Sequence, residues 1–226
     1  MRWHELLFMH WPIRPGLLRP LLPAGLELDT FDGEAWLGLV PFRMSGVRPR
    51  GVPPIPGMSA FPELNVRTYV TTLGRPGVWF FSLDAANWPA VRMARRFFHL
   101  PYFNAAMAVD AQGDEIRYHS RRTHCNAPSA ELRMRYRPTG PAYFTREGNL
   151  DHFLTHRLCL YCANSCGQIF RGDIHHVRWS LQPAEAEVEL NEMSAQIGVA
   201  LPDIPPLLHY AHRLDTVAWL INRIEP

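Results

Sequence analysis

Residues 61–70, Phe61-Pro62-Glu63-Leu64-Asn65-Val66-Arg67-Thr68-Tyr69-Val70, alternate polar and apolar positions. In an extended strand this puts Glu63, Asn65, Arg67 and Tyr69 on one face and Leu64, Val66 and Val70 on the other. The next apolar run, Val78-Trp79-Phe80-Phe81, shows no alternation, as expected of a strand covered on both faces. The polar face of 63–69 therefore has two readings. It is the water-facing side of a half-exposed antiparallel strand, or it lines a buried ligand site.

The remaining pattern predicts short elements. Leu6–Trp11 reads as a strand stopped by Pro12, and Pro15–Leu22 as one or two helical turns between prolines. Leu26–Phe31 and Ala35–Phe42 flank Asp32-Gly33, the signature of a hairpin. Arg48–Pro62 is rich in proline and glycine without periodicity: a long stiff loop, either a binding loop or an exposed connector. Strands Glu63–Thr72 and Val78–Leu83 follow, joined through Gly74-Arg75-Pro76-Gly77. Asn87 before Trp88-Pro89 caps a helix reaching about Phe98. Ala105–Val109 and Glu115–Arg121 form a hairpin about Gln112-Gly113-Asp114, and Glu131–Tyr136 alternates again. Asn149 opens a helix to about His156; Arg157–Cys162, Gln168–Phe170 and Val177–Leu181 read as strand pieces. Ala184–Glu189 is strand or helix, as is part of Leu207–Ile224. With about ten short strands against two clear helices, and no β-α-β rhythm, the class is α+β on an antiparallel barrel or sandwich. No linker divides the chain, so residues 1–226 are expected to form one domain.

Composition changes this picture at one point. All 23 residues counted as lysine plus arginine are arginine. Arginine stays protonated and forms no imine, so any carbonyl chemistry cannot run through a lysine Schiff base, and the α-amino group of Met1 is the one amine. The net charge of +2 makes no broad case for nucleic acid, and Arg92, Arg95, Arg96, Arg133, Arg135 and Arg137 read as solvated. No run of about eighteen apolar residues exists to span a membrane. Glu5 and the lack of a small-residue cleavage site argue against a signal peptide, and four unevenly spaced cysteines do not make a disulfide framework. A cytoplasmic protein with reduced thiols is expected, with homo-oligomerisation left open. No nucleophile elbow, phosphate-binding glycine loop or dinucleotide fingerprint is present, so no cofactor is expected.

Several side chains carry candidate chemistry. On the polar face, Arg67 suits a carboxylate, Glu63 can exchange protons, and Asn65 and Tyr69 can orient a ligand. His10, among Phe8, Met9 and Trp11, is a hydrogen-bonded core residue or a site residue. His152, His156, Cys159, Cys162 and Cys166 are zinc-ligand types, but a helix-to-strand break near Arg157 scatters them and no standard spacing is met, so no metal is expected. His175-His176 is read as opening a strand, structural or at a cavity rim. Ser82 and Asp84 are read as ending one, with Asp84 a helix cap or turn former.

Together Phe8-Met9-His10-Trp11-Pro12, Leu28-Asp29-Thr30-Phe31-Asp32-Gly33, residues 61–70, residues 77–84, Leu100-Pro101-Tyr102 and His175-His176 with Trp179 resemble the YqjF-like family of uncharacterised bacterial proteins. The resemblance covers nearly the whole chain. It implies a fold similar to acetoacetate decarboxylase: a cone-shaped antiparallel β-barrel with a few peripheral helices and a central cavity. In that enzyme a glutamate in a comparable strand lines the cavity, and Glu63 resembles its counterpart. The decarboxylase carries a Pro-Lys-Lys segment whose first lysine forms the Schiff base. Here the corresponding segment reads Leu100-Pro101-Tyr102-Phe103, which excludes decarboxylation by that mechanism. The resemblance thus implies a ligand site built from Glu63, Asn65, Arg67, Tyr69, Tyr102 and His10. It would serve either a lyase- or isomerase-type reaction on a small organic acid or carbonyl compound, with Glu63 or Tyr102 as acid or base, or a non-catalytic binding protein that lost the chemistry.

Overall fold

The structure, a computed structural model, describes residues 1–48, 51 and 53–225. It is mostly sheet. The strands are β1 (Arg2–Ile13), β2 (Glu27–Leu28), β3 (Ala35–Ser45), β4 (Phe61–Thr72), β5 (Arg75–Ala85), β6 (Tyr102–Gln112), β7 (Glu115–Arg122), β8 (Glu131–Pro138), β9 (Tyr143–Phe144), β10 (Cys159–Ala163), β11 (Ile169–His176), β12 (Ser180–Asn191), β13 (Leu207–Ala218) and β14 (Asn222–Arg223). Among the described residues, three α-helices interrupt them: α1 (Pro15–Leu18), α2 (Trp88–Phe97) and α3 (Leu150–Thr155). Among the described residues no helix is long and apolar enough to cross a membrane.

The long strands β13, β1, β3, β4 and β5 pair antiparallel in that order. β5 then pairs in parallel with β10, β10 with β11, and β11 with β13, so the hydrogen bonding returns to its starting strand. From β5 a second path leads through β6, β7, β8 and β12 to β13. The side chains on one face of β1, β3 and β4 (Leu7, Met9, Leu37, Leu39, Leu64, Val66) pack against the inward residues of the second path, including Ile116, Tyr118, Leu132, Met134 and Tyr136. This explains why alternation fails in β1 and β3: a second sheet layer covers the face that would otherwise meet water. β7 and β8, with one face solvated, keep it, and Arg117, Arg133, Arg135 and Arg137 point outward.

Several local expectations differ from what forms. Pro12 does not end β1, because strand pairing continues through Pro12 opposite Trp36 and Ile13 opposite Ala35. Asp32 and Gly33 both take positive φ (51° and 84°), as their turn requires, but no hairpin follows. Only a bridge between Phe31 and Glu34 closes it, and β2 pairs with β4 through Leu28 and Val70. Between β4 and β5 the turn is Leu73-Gly74, both at positive φ, and Arg75 is already strand. Of the proline-rich loop, residues 49, 50 and 52 lie outside the described residues, and the next strand begins at Phe61. Asn87 caps α2 by accepting from the Ala90 amide, whereas Asn149 makes no such bond to α3. β5, α2 and β6 form a parallel crossover, with Leu83 opposite Tyr102, contrary to the expected absence of a β-α-β unit. His175 and His176 end β11 instead of opening a strand, and Ala184–Glu189 lies within β12.

Candidate functional site

The alternation of β4 survives folding and its polar face is turned inward. Glu63 is 3% exposed, Asn65 and Tyr69 are buried, and Arg67 is half-buried. Register continues the face across neighbouring strands: Arg67 lies opposite Gly38 of β3, which lies opposite His10 of β1. Gly38 fits closely here: a Cβ would come within 3.1 Å of the His10 ring and 3.3 Å of Arg67 Cγ. His10 is fully buried and Phe8 stacks beside it, and the Arg67 guanidinium sits 5.1 Å from the Phe8 ring centre.

Two hydrogen-bonded groups result. In the first, Tyr69 donates its hydroxyl to the Leu154 carbonyl at 2.6 Å, and His10 Nε2 lies 2.6 Å from the Tyr69 oxygen. Because the tyrosine proton is committed, His10 Nε2 must carry the donated hydrogen, leaving Nδ1 with a lone pair. Arg67 Nη2 also donates to the Leu154 carbonyl, at 3.1 Å, and to the Tyr69 oxygen, at 3.3 Å. In the second, Tyr102 at the start of β6 donates to Glu63 Oε2 at 2.7 Å. Burial pushes the Glu63 carboxyl up to about 8, assisted by the Asp84 charge and opposed by the Tyr102 bond. At neutral pH Glu63 is thus mostly a neutral acid. Burial, with Arg67 and His209 nearby, holds His10 well below the usual histidine range.

Among the described residues, four buried polar atoms on this face have no hydrogen-bond partner: His10 Nδ1, Asn65 Oδ1, Arg67 Nε and His209 Nδ1. Buried polar atoms are ordinarily satisfied, so these four, spread over β13, β1 and β4, are positions where solvent or a ligand can complete the bonding. Two surface recesses lie elsewhere. One, of about 330 Å³, sits on the outer face of β7 and β8 near Arg117 and Arg133. The other, of about 250 Å³, is lined by Trp79, Phe80, His99, Pro101 and Cys162. None of the six expected site residues lines it.

The structure leaves all six expected site residues buried or half-buried, in two separate hydrogen-bonded groups: His10, Arg67 and Tyr69 in one, Glu63 and Tyr102 in the other, with Asn65 between them on β4. Phe103, beside Tyr102, turns to the opposite face, where the Arg122 guanidinium lies 4.0 Å from its ring centre. Asp84 is not a cap or turn former: it is buried and paired with Arg122 through two bonds of 3.0 and 2.6 Å, on the same buried face of β5 as Ser82. His152 and His156 do not face the cysteines. Their rings lie 4.7 Å apart and His156 lies 5.7 Å from His176, while Cys159 points at the Pro76 carbonyl and Cys166 is exposed. Among the described residues no group of three histidine, cysteine or acidic side chains is arranged to hold a metal. Sequence reasoning missed His209 and Asp151, which pair across 3.1 Å. One signal was available, the period-two row Leu207, His209, Ala211, but nothing local marks its face as inward.

The fold is that of acetoacetate decarboxylase-like proteins. The chain superposes on acetoacetate decarboxylase from Legionella pneumophila with a TM-score of 0.63 at 14% identity, covering 100% of this chain and 88% of that one. It superposes on the enduracididine biosynthesis enzyme MppR, in a complex with pyruvate, with a TM-score of 0.65 at 11% identity, covering 99% and 90%. In sequence, residues 1–215 match the DUF2071 family, described as an uncharacterized conserved protein, and the chain belongs to that family. It is 45% identical over 221 residues to the uncharacterized protein YqjF of Bacillus subtilis (strain 168), covering 98% of this chain and 90% of that protein.

Proposed function

We propose that the protein is a single-domain, cone-shaped barrel that binds a small organic acid or carbonyl compound and acts on it as a lyase or isomerase without a lysine Schiff base. The observation that carries this reading is the inward polar face of β4, where Asn65 Oδ1 and Arg67 Nε lie buried and unpartnered among the described residues, as do His10 Nδ1 on β1 and His209 Nδ1 on β13. Arg67 Nε would donate to the ligand carboxylate, with Asn65, Tyr69 and His10 orienting it. The neutral Glu63, bonded to Tyr102, would serve as the acid at a carbonyl oxygen. The pyruvate in the MppR complex supports the ligand class. The four free cysteines support a reducing, cytoplasmic setting.

A second reading is a binding protein without catalysis. One observation favours it: Arg67 Nη2 is already committed to the Leu154 carbonyl and the Tyr69 oxygen, so part of the guanidinium is spent within the protein.

A thermal-shift screen against pyruvate, acetoacetate and related carboxylates and ketones tests the first reading. A ligand at about a hundred times its dissociation constant adds roughly 2.7 kcal/mol of stability. The expected result is a rise in Tm with at least one compound that Arg67→Ala abolishes. No shift with any compound, or an equal shift in the variant, overturns the reading. Turnover of a stabilising compound separates enzyme from binder.

A further inference from the structure

His209 lies in β13 opposite Phe8 and is 3% exposed. Phe8 and His10 are alternate residues of β1, so His209 and His10 face the same interior. The Arg67 guanidinium approaches Phe8 within the same space. His209 Nε2 sits 3.1 Å from Asp151 Oδ1, and Asp151 is itself held by Tyr143, whose hydroxyl donates to Oδ2 at 3.0 Å. An ionised carboxylate only accepts, so Nε2 carries the hydrogen and Nδ1 the lone pair. That Nδ1 is buried and has no partner among the described residues.

The arrangement is the carboxylate–imidazole half of a general-base system: one nitrogen oriented by an acid, the other free to take a proton. His10 has the same free Nδ1 but no carboxylate behind it, and the Arg67 charge opposes its protonation. Burial opposes protonation of His209 too, but Asp151 favours it, so an imidazolium is better tolerated there.

We propose that His209, positioned by Asp151, is the general base of this site, and that the site enolises small 2-oxo acids. This rests on the ligand class proposed above. The carboxylate binds at Arg67 and the carbon next to the ketone faces His209. His209 Nδ1 removes a proton from that carbon. The C–H electron pair becomes the carbon–carbon double bond, the carbonyl π pair moves to oxygen, and that oxygen takes a proton from solvent. Reversal with a solvent-derived proton restores the ketone, and nothing is oxidised or reduced.

The test is deuterium uptake into the methyl group of pyruvate in D₂O, followed by proton NMR, with pyruvate-induced thermal stabilisation measured in parallel. Wild-type protein is expected to exchange the methyl protons well above buffer. His209→Gln should lower the rate about 10²–10⁴-fold, the usual scale of general-base catalysis, while pyruvate still stabilises the variant. Asp151→Asn should lower the rate less and displace its pH profile, because the imidazolium loses its counter-charge. Should His209→Gln fail to fold, the tautomer decides: in ¹⁵N-histidine-labelled wild-type protein His209 must carry its hydrogen on Nε2 at pH 7.5, and an Nδ1–H form overturns the assignment. Stabilisation by pyruvate without exchange, or exchange that survives His209→Gln, overturns the base and leaves the binding site standing. Absence of both stabilisation and exchange overturns the binding reading as well.

Discussion

The Tyr102 hydroxyl donates to Glu63 Oε2 at 2.7 Å inside the protein. Tyr102 opens β6 and Glu63 lies near the start of β4, so the bond joins two strands that are not paired with each other. A neutral phenol brings no positive charge to hold Glu63 ionised, so burial outweighs the hydrogen bond and raises the carboxyl to about 8.

Tyr102→Phe should therefore raise the Glu63 carboxyl further, because the phenol bond is the one influence opposing burial. It should cost about 1–3 kcal/mol, the usual penalty for leaving a buried polar partner unmet. Carboxyl ¹³C titration and thermal denaturation read the two effects; a fall in the Glu63 value would contradict the assignment.

The pH profile of stability should carry opposite contributions. Glu63 binds its proton more tightly folded than unfolded, so its contribution is full below about pH 4.5 and is lost as pH rises to about 8, roughly 5 kcal/mol in all. His10 and His209 are depressed when folded, so their contribution is present above the unfolded histidine range, near 6.5, and is lost as pH falls through their folded values. Glu63→Gln should flatten the decline between pH 4.5 and 8, measured by urea denaturation at several pH values, and leave the acid limb in place.

Asp84 and Arg122 form a buried ion pair, with the guanidinium over Phe103. Breaking it with Asp84→Ala should cost about 3–5 kcal/mol, since an unpaired charge stays buried. Pairing Asp84→Leu with Arg122→Met should recover much of that loss in chemical denaturation.

Gly38→Ala tests the packing of the site. The added Cβ meets His10 at 3.1 Å and Arg67 at 3.3 Å, so both must move by a few tenths of an ångström. Stability should fall by about 1–3 kcal/mol, the overpacking scale, and stabilisation by the ligand that Arg67→Ala abolishes should weaken. Unchanged ligand response would separate His10 and Arg67 from binding.

Element types were largely legible because β4, β7 and β8 each have faces of different polarity, and alternation records that difference locally. Boundaries were less so. Pro12 looked like a stop, yet pairing partners at Trp36 and Ala35 hold the strand through it. Asp32-Gly33 signalled its turn correctly, but which strands pair is decided by distant residues, and Leu28 finds Val70.

By itself the sequence determined the absence of lysine, the one-faced polar row Glu63, Asn65, Arg67 and Tyr69, and the neighbouring tyrosine at 102. Those are properties of residue type and of period-two geometry, which need no partner. Only the tertiary structure decided that this row faces inward, because a second sheet covers Leu64 and Val66 on the other side. It alone also joined Tyr102 to Glu63 and Asp151 to His209, since hydrogen bonds between residues far apart in the chain exist only once the strands are in register.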